Sequence, residues 1–363
     1  MRIEVTRSNT KRVLIIDALN MFLRSYTIIP SMNPQGLPNG GTIGFIKSLQ
    51  VLCRKFKPHE IVICWDGHGG SEKKRQLNKE YKQGRRPVRF NRRMIELPPD
   101  QEQANKGYQQ IRLMEYLNHM PVIQLVADFT EADDIIAHVI NHNKYKDWHK
   151  TIISSDKDLM QLYKKNLRIY DPMKNKYISE DDIYNKFGVE PKKVIDVQAL
   201  AGDSSDNVPG VPGIGVKTAA ELINKYKTLE NLLTKAGEIK QNKRRETLIE
   251  NKDKAIISKK LVTLKKDVPI KDEIIKFKLK EIDKKKLYNF LREMEFNRLL
   301  SQAISFYGES SKTTKIGKEN ITKKSKIDTS NYKNITNEND LDNLIRKLNE
   351  KSIISVDCET TSL

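Results

Sequence analysis

The sequence contains little cysteine and no long apolar run. Its three cysteines, Cys53, Cys64 and Cys358, lie far apart, so no pair has the spacing of a zinc site. No run approaches the roughly 18 apolar residues of a membrane-spanning helix, and the start lacks the apolar segment of a signal peptide. We therefore expect reduced thiols, no zinc, no membrane partner and a cytoplasmic protein.

Positive charge, in contrast, is in excess. The 363 residues include 66 Lys and Arg against 47 Asp and Glu, which gives a formal net charge of +19. A surplus of this size favours a polyanionic partner, above all nucleic acid, whose binding weakens as salt rises. An anionic membrane surface is the weaker alternative. The hydrophobic content of 37% is sufficient for a packed core in one large or two smaller domains.

Short β-rich runs alternate with helical patterns between about Arg12 and Tyr170, which is typical of parallel βαβ units. This pattern predicts an α/β fold with a parallel sheet over residues 1–178. Residues 179–307 have an almost wholly helical pattern, with a Gly- and Pro-rich break at 202–215. The predicted strands run from Val13 to Asp17, Ile61 to Asp66, Val122 to Val126, Thr151 to Asp156 and Leu167 to Tyr170. The predicted helices run from Thr42 to Phe56, Gln103 to Asn118 and Ala132 to Asn141.

A change of composition follows. Residues 308–333 are rich in Ser, Thr and Lys and nearly free of large apolar residues, which predicts a solvated linker. Residues 334–363 then begin a further unit, with an amphipathic helix from Glu338 to Asn349 and a strand from Ser352 to Val356.

Three of the predicted strands end on an aspartate: Asp17, Asp66 and Asp156. Ligands of open parallel sheets bind at the carboxyl ends of the strands, so we expect these carboxylates to converge. Further acids stand at predicted helix starts and turns: Glu131, Asp133, Asp134, Asp158, Asp203 and Asp206. A helix that opens at Glu131 would place Glu131 and Asp134 one turn apart on one face, with Asp133 beside them.

Each acidic cluster alone has a structural explanation. Thr130 could cap a helix at Glu131, and Asp203 and Asp206 could form turns before Pro209. Their joint occurrence at strand ends and helix starts favours a common site. Oxygen-only ligands suit Mg²⁺ or Mn²⁺, and two such ions clamp the attacking and leaving oxygens of a phosphoryl displacement.

The segment from Ser71 to Arg93 carries ten Lys and Arg residues against two Glu residues. A charge run is usually a solvated face. This one directly follows the strand that leads to Asp66, so we expect it to stand over the acidic crevice and to draw an anionic strand there. Its aromatic residues, Tyr81 and Phe90, could stack on bases.

A glycine-rich hairpin follows the acids at Asp203 and Asp206. The pattern Gly213-x-Gly215-x-Lys217, with Thr218 beyond it, precedes an apolar-periodic helix. Backbone N–H groups at such a helix start bind phosphate without regard to base sequence. The alternative is a plain turn that connects two helices.

Six short motifs share one order along the chain. They are Ile16-Asp17, Trp65-Asp66-Gly67, Tyr81-Lys82-Gln83-Gly84-Arg85, Glu131-Ala132-Asp133-Asp134, Ser155-Asp156-Lys157-Asp158 and the run from Gly202 to Gly210. In this order they resemble the motifs of the 5′-nuclease family, which comprises phage 5′ exonucleases, flap endonucleases and the amino-terminal domain of bacterial DNA polymerase I. The resemblance covers about Lys11 to Tyr307. It implies a PIN-like nuclease core, a helical arch at about 71–100 and, over 179–307, a helix-hairpin-helix variant that grips duplex DNA, often with a potassium ion.

The resemblance also implies roles for individual residues. A first Mg²⁺ or Mn²⁺ would be held, partly through water, by Asp17, Asp66, Glu131 and Asp133. A second would be held or oriented by Asp156, Asp158, Asp203 and Asp206, with Asp134 supporting both. Lys82 and Arg85 would contact the scissile phosphate and offset charge in the transition state. Contacts with DNA are implied for Tyr81, Arg86, Gly213, Gly215, Lys217 and Thr218.

The activity that the resemblance implies is that of a monomeric 5′→3′ exonuclease and 5′-flap endonuclease in DNA replication or repair. Its substrate would be DNA with a 5′ flap or junction. Two alternatives stay open: a PIN-type ribonuclease, which would share the acidic core, and a catalytically silent DNA-binding module, in which the carboxylates serve structure only.

The last residues resemble the opening of the proofreading 3′→5′ exonuclease domain of DNA polymerase I, which implies that the chain is the amino-terminal part of such a polymerase. There Asp357 and Glu359 would bind metal, because alternate residues near a strand end reach the same ion. The other acids of that site and the polymerase domain are absent from the sequence. We therefore expect neither proofreading nor polymerase activity from this chain.

Overall fold

A single sheet organises the larger part of the molecule. The computed structural model describes residues 10–85, 89, 97–270, 281–308 and 335–349. The chain divides into two units, Met1–Gly308 and Glu309–Leu363. The six strands of the sheet are β1 (Arg12–Asp17), β2 (Glu60–Cys64), β3 (Ile123–Leu125), β4 (His149–Ile153), β5 (Leu167–Asp171) and β6 (Lys176–Tyr177).

The strand order is β3-β2-β1-β4-β5-β6, and only the β5–β6 pair is antiparallel. This confirms the predicted α/β fold with a parallel sheet. The strands before Asp66 and Asp156 are shorter than predicted, because β2 ends at Cys64 and β4 at Ile153. At Asp156 the backbone N–H donates to the Ser154 hydroxyl instead of to a neighbouring strand. Both acids therefore lie in loops just beyond the carboxyl edge of the sheet.

The helices of the first unit alternate with the strands and then continue without them. Those of the sheet region are α1 (Ala18–Ile28), α2 (Gly40–Phe56), α3 (Glu72–Leu77), α4 (Pro99–Asn118) and α5 (Ala132–Asn141). Those that follow are α6 (Glu180–Phe187), α7 (Val194–Ala201), α8 (Val216–Tyr226), α9 (Leu229–Thr234), α10 (Asn242–Glu250), α11 (Lys252–Val262), α12 (Lys284–Glu293) and α13 (Asn297–Tyr307).

The two faces of the sheet support two apolar cores. Val13 and Ile15 of β1 pack with α5 and with the helices α6 to α9, whereas Leu14 and Ile16 pack with α1, α2, α4, α12 and α13. Side chains of a strand alternate between faces, and both faces here are covered, so β1 is apolar throughout. The helical region after residue 179 thus completes the cores of the same unit.

The second unit is described only over residues 335–349. It contains α14 (Glu338–Asn349), which confirms the predicted amphipathic helix at those bounds. The predicted linker beyond Gly308 and the predicted strand from Ser352 to Val356 lie outside the described residues. Across the described ranges, no helix combines the length and apolar character needed to cross a bilayer.

Helix α2 begins earlier than predicted because another helix caps it. Gln109 of α4 accepts hydrogen bonds from the N–H groups of Gly41 (2.9 Å) and Thr42 (3.2 Å). Glycine in α2 also permits close contact with α1, since a Cβ at Gly44 would lie 2.6 Å from Ser25 Cβ. The contact fixes α1, whose first turn is attached to Asp17.

We predict that Gly44→Ala destabilises the protein, although alanine normally favours a helix. The methyl group would force α1 and α2 apart, at a cost of about 1–3 kcal/mol in the free energy of unfolding. Gly107→Ala in α4 is the matched control, because its Cβ meets nothing within 4 Å. There we expect a gain of up to about 1 kcal/mol. Urea denaturation of both variants measures the difference, and equal stability changes would contradict the prediction.

Candidate active site

The carboxyl edge of the sheet carries a linked group of carboxylates. Asp17 ends β1 and caps α1, since its Oδ1 accepts from the Asn20 N–H (3.1 Å). Its Oδ2 accepts from the Ser154 hydroxyl (2.9 Å), and that hydroxyl accepts from the Asp156 N–H (3.0 Å). One serine therefore connects the central strand to the loop after β4.

Asp66, which follows β2 on the other side of β1, also binds the start of a helix. Its Oδ1 accepts from the Ala132 N–H (2.8 Å) at the start of α5. The helix is therefore capped by Asp66 across the crevice, not by Thr130, whose hydroxyl donates to the Asp128 carbonyl (3.1 Å). Asp133 lies in the same first turn of α5.

The carboxylates at this edge repel one another. Burial is the main cause that raises the pKa of Asp17 to about 7; the hydrogen bonds from Asn20 and Ser154 oppose the rise, and the charges of Asp66 and Asp156 contribute to it. Burial is also the main cause that lifts the pKa of Asp133 far above its usual value, with Asp156 and Asp17 next. Desolvated like charges of this kind favour either protons or bound cations.

Glu131 has the opposite environment. It accepts from Lys74 Nζ and Lys82 Nζ, both at 2.5 Å, and from the hydroxyls of Ser71 (2.8 Å) and Tyr81 (3.2 Å). Burial would raise the pKa of Glu131, but the two lysines outweigh it and lower the pKa to about 2. Lys74 was not singled out by the sequence, where it is one of many cations in a basic run.

Asp134 lies within the same helical turn but is differently engaged. Its Oδ1 accepts from the Lys265 N–H (2.8 Å). Burial raises its pKa, and Lys74 is the strongest charge that lowers it. This carboxylate therefore joins α5 to the segment after α11.

A second acidic group lies in the loop after α7. Asp203 pairs with Lys157 (2.5 Å) and accepts from the N–H and hydroxyl of Ser205 (2.9 and 2.6 Å). Burial would raise the pKa of Asp203, but these donors leave it below the usual value. Asp206 pairs with Arg85, and its Oδ2 lies 3.8 Å from Lys82 Nζ. Lys82, which also pairs with Glu131, thus bridges the two acidic groups.

Asp158 is positioned from α7. Its Oδ1 accepts from Gln198 Nε2 at 2.6 Å, and Gln198 is buried. Burial, followed by the charge of Asp156, raises the pKa of Asp158 to about 6. Nothing in the sequence indicated Gln198, because it stands 40 residues away in an apolar helix.

The environment of Tyr81 corrects the expectation that its ring stacks on bases. The side chain is only 3% exposed, and it packs with Val208, Leu261 and Val262. Its hydroxyl reaches Glu131, so the ring is not accessible to a base. Arg86 and Phe90 lie outside the described residues, as do ten of the thirty residues of the predicted arch at 71–100.

The glycine-rich hairpin has two different kinds of glycine. The backbones of Gly202 and Gly210 lie in contact, since a Cβ on Gly210 would clash with the Gly202 nitrogen. Gly213 has φ +74 and, like Gly215, nothing within 4 Å of a built Cβ. Gly215 precedes α8, which has no side-chain cap, and Lys217 lies exposed in the first turn with Thr218 beside it. The sequence placed Gly202 and Gly210 in a motif but did not indicate the contact between them.

The arrangement brings acids and cations together at the carboxyl edge of the sheet. Within the described ranges, no three acidic, His or Cys side chains are spaced to hold an ion directly. Several of the oxygens are instead occupied by Lys74, Lys82, Arg85 and Lys157. Oxygen-rich donors with unrelieved repulsion fit hard divalent cations bound partly through water.

Two family models match consecutive parts of the chain. Residues 12–188 match the model described as 5′-3′ exonuclease, N-terminal resolvase-like domain. Residues 189–285 match the model described as 5′-3′ exonuclease, C-terminal SAM fold. The two matches together cover well over half of the chain.

Curated relatives are of two lengths. DNA polymerase I of Rhizobium leguminosarum is 37% identical over 296 aligned positions, and the match covers 79% of this chain and 28% of that protein. DNA polymerase I of Borreliella burgdorferi is 32% identical over 376 aligned positions, gaps included, and the match covers 97% of this chain and 39% of that protein. The 5′-3′ exonuclease of Aquifex aeolicus is 30% identical over 302 residues, 83% of this chain and 98% of that protein. The chain therefore spans a minor part of the polymerases but nearly all of the exonuclease.

Solved structures support the fold. The flap endonuclease of bacteriophage T5, determined with DNA and metal ions, matches with a TM-score of 0.61 at 16% identity over 78% of this chain and 100% of that chain. The 5′-exonuclease of bacteriophage T5 with zinc bound matches with a TM-score of 0.59 at 17% identity, over 69% of this chain and 89% of that chain.

We predict that the buried Lys74 is needed for stability. Lys74→Met would leave the desolvated Glu131 with one lysine in place of two, which should lower the free energy of unfolding by about 2 kcal/mol or more. Lys73→Met removes the same charge from an exposed position of the same helix, and its effect should stay within about 0.5 kcal/mol. Urea denaturation of the two variants at one pH makes the comparison. Equal losses would show that Lys74 contributes only net charge.

Proposed function

Since the chain belongs to the 5′-3′ exonuclease family, we propose that it hydrolyses phosphodiester bonds of DNA at 5′ ends and 5′-flap junctions. The observation that carries this proposal is the group of mutually repelling carboxylates at the carboxyl edge of the sheet, which lies beside a basic turn. Membership of a nuclease family supports a hydrolase. The substrate, the metals and the residue roles belong to the proposal.

The proposed cation ligands come from both acidic groups. They are Asp17, Asp66, Glu131 and Asp133 for one ion, Asp156, Asp158, Asp203 and Asp206 for another, and Asp134 in support of both. Mg²⁺ or Mn²⁺ bound there would supply activation of water and neutralisation of charge on the phosphate. The bonds that cap α1 and α5 orient Asp17 and Asp66, while Gln198 holds Asp158.

Lys82 and Arg85 are the proposed phosphate contacts. Lys82 Nζ lies between the carboxylates of Glu131 and Asp206, and the Arg85 guanidinium forms an ion pair with Asp206. Both cations are therefore held at the junction of the two acidic groups, where a scissile phosphate would lie. Fixed positive charge at that point would stabilise the charge that develops on the phosphate during cleavage.

The hairpin is the proposed grip on duplex DNA. The open backbone at Gly213 and Gly215 would admit a phosphate close to the uncapped start of α8, and Lys217 and Thr218 would add contacts there. A potassium ion on hairpin carbonyls belongs to the same proposal. We further propose that the protein acts as a cytoplasmic monomer in DNA replication or repair. Asp357 and Glu359 lie outside the described residues.

We predict metal-dependent cleavage of an end-labelled duplex with a 5′ flap. Asp156→Asn should reduce the rate on the order of 100-fold, about 3 kcal/mol of transition-state stabilisation, because it removes one charge from the proposed ligands. Asp147→Asn, an exposed change before β4, should cleave normally. Matched single-stranded DNA and RNA, each with Mg²⁺ or EDTA, complete the assay.

Other outcomes of that assay favour the alternatives. Binding of the duplex without any cleavage would support a silent DNA-binding module, and cleavage of RNA alone would support a PIN-type ribonuclease. Equal activity in EDTA would contradict the metal dependence.

We also predict that Lys217 contacts a phosphate. Lys217→Gln should weaken duplex binding regardless of base sequence and reduce the slope of log K against log salt by about 1. Lys225→Gln, near the other end of α8, is the matched control and should leave the slope unchanged. Fluorescence anisotropy over a salt series gives both slopes, and an unchanged slope for Lys217→Gln would remove it from the interface.

A further inference from the structure

The turn that carries Lys82 is held against the loop after α7 by three hydrogen bonds of one asparagine. Asn207 Nδ2 donates to the carbonyl oxygens of Glu80 (2.9 Å) and Gln83 (2.7 Å). In return, Asn78 Nδ2 donates to the Asn207 carbonyl (3.1 Å). The turn from Asn78 to Gln83 is therefore held at both ends by the same residue.

Further bonds join the same two segments. The Lys82 N–H donates to the Asp206 carbonyl at 2.9 Å, and Arg85 Nε donates to the Ser205 carbonyl at 3.3 Å. Between them the Tyr81 ring packs against Val208 of the loop. The position of the Lys82 backbone thus depends on the loop, whereas its ammonium group pairs with the carboxylate of Glu131 at the start of α5.

Backbone conformation shows how firmly the two segments are fitted. Lys82 has φ +55 and Asn207 has φ +53, a region that side chains other than glycine seldom adopt and that asparagine tolerates best. Such a conformation persists at Lys82 only because surrounding bonds determine it. Asparagine at 207 combines tolerance of positive φ with two N–H donors on one amide.

We propose that Asn207 is a positioning residue that sets Lys82 at the junction of the two acidic groups. The inference rests on the proposed function for its catalytic consequence. The structural part stands by itself: without the Asn207 amide, the Gln83 carbonyl loses its donor from the loop, the Glu80 carbonyl keeps the Gln83 N–H, and fewer bonds fix the turn relative to Glu131. Lys82 would then reach a phosphate less often, while the hairpin from Gly210 to Thr218 would bind duplex as before.

The test uses Asn207→Gly, which keeps the positive φ and removes the amide, together with Asn78→Ala. Asn175→Gly is the matched control, because Asn175 has φ +52 in the exposed turn between β5 and β6. The variants are made in the full chain, alone and with Lys82→Ala. Three quantities are measured: the single-turnover rate on a 5′-flap duplex, the Kd for duplex in EDTA, and hydrogen exchange of the Lys82 amide.

We expect Asn207→Gly and Asn78→Ala to slow cleavage about tenfold or more, since small displacements of a contact have effects of that order. The Kd for duplex should stay within about twofold, and exchange at Lys82 should be about tenfold faster. In the Lys82→Ala background, Asn207→Gly should add less than about a twofold loss, because both changes remove the same contact. The control should match the wild type throughout.

Two results would overturn the inference. One is unchanged exchange of the Lys82 amide in Asn207→Gly, and the other is a full further loss of rate in the Lys82→Ala background. If Lys82→Ala alone cleaves at the wild-type rate, the proposed role of Lys82 fails. The exchange measurement still decides whether Asn207 positions the turn.

Discussion

Repulsion among desolvated carboxylates at the carboxyl edge of the sheet is the constraint on which the rest of this structure depends. Asp17, Asp66 and Asp133 each have a raised pKa because burial penalises their charge and neighbouring acids add to the penalty. The fold offsets part of this cost with structural donors, so that Asp17 caps α1 and Asp66 caps α5. The residues best placed for chemistry therefore also fix the two helices that flank β1.

The same constraint explains why basic side chains are buried beside the crevice. Glu131 and Asp17 are both buried acids, yet the pKa of one is about 2 and that of the other about 7. The difference lies in their partners, since Glu131 meets two lysines and Asp17 meets neutral donors and other acids. The acids of the crevice therefore differ by position. Lysines neutralise Glu131 on the side facing α3, whereas burial and neighbouring acids raise the pKa of the carboxylates at the sheet edge.

Much of this arrangement could be predicted from the sequence, because it follows from local patterns. Apolar runs that end near aspartates predicted the parallel sheet and its acidic edge, and α5 begins and ends where its periodicity indicated. The cap of α5, the bond from Gln198 to Asp158 and the burial of Lys74 could not be predicted, since each joins residues far apart in the chain. Tyr81 was expected to stack on bases because it lies in a basic run, but its ring completes a small apolar cluster.

The loop from Asp203 to Asn207 shows why such long-range contacts need a rigid support. Its ends are joined by a pair of backbone hydrogen bonds between Asp203 and Val208, both 2.9 Å. The contact between Gly202 and Gly210 brings together the residues on either side of the loop. A side chain at either position would clash with backbone atoms. Neither device depends on surface side chains, so the loop keeps its shape when exposed residues vary. A loop held by its own backbone can present Asp203 to Lys157, Asp206 to Arg85 and Asn207 to the Lys82 turn at fixed spacing. A contact between distant segments must offset the conformational entropy lost when both segments are ordered. Because the loop is already ordered by its own backbone bonds, less entropy is lost when these contacts form.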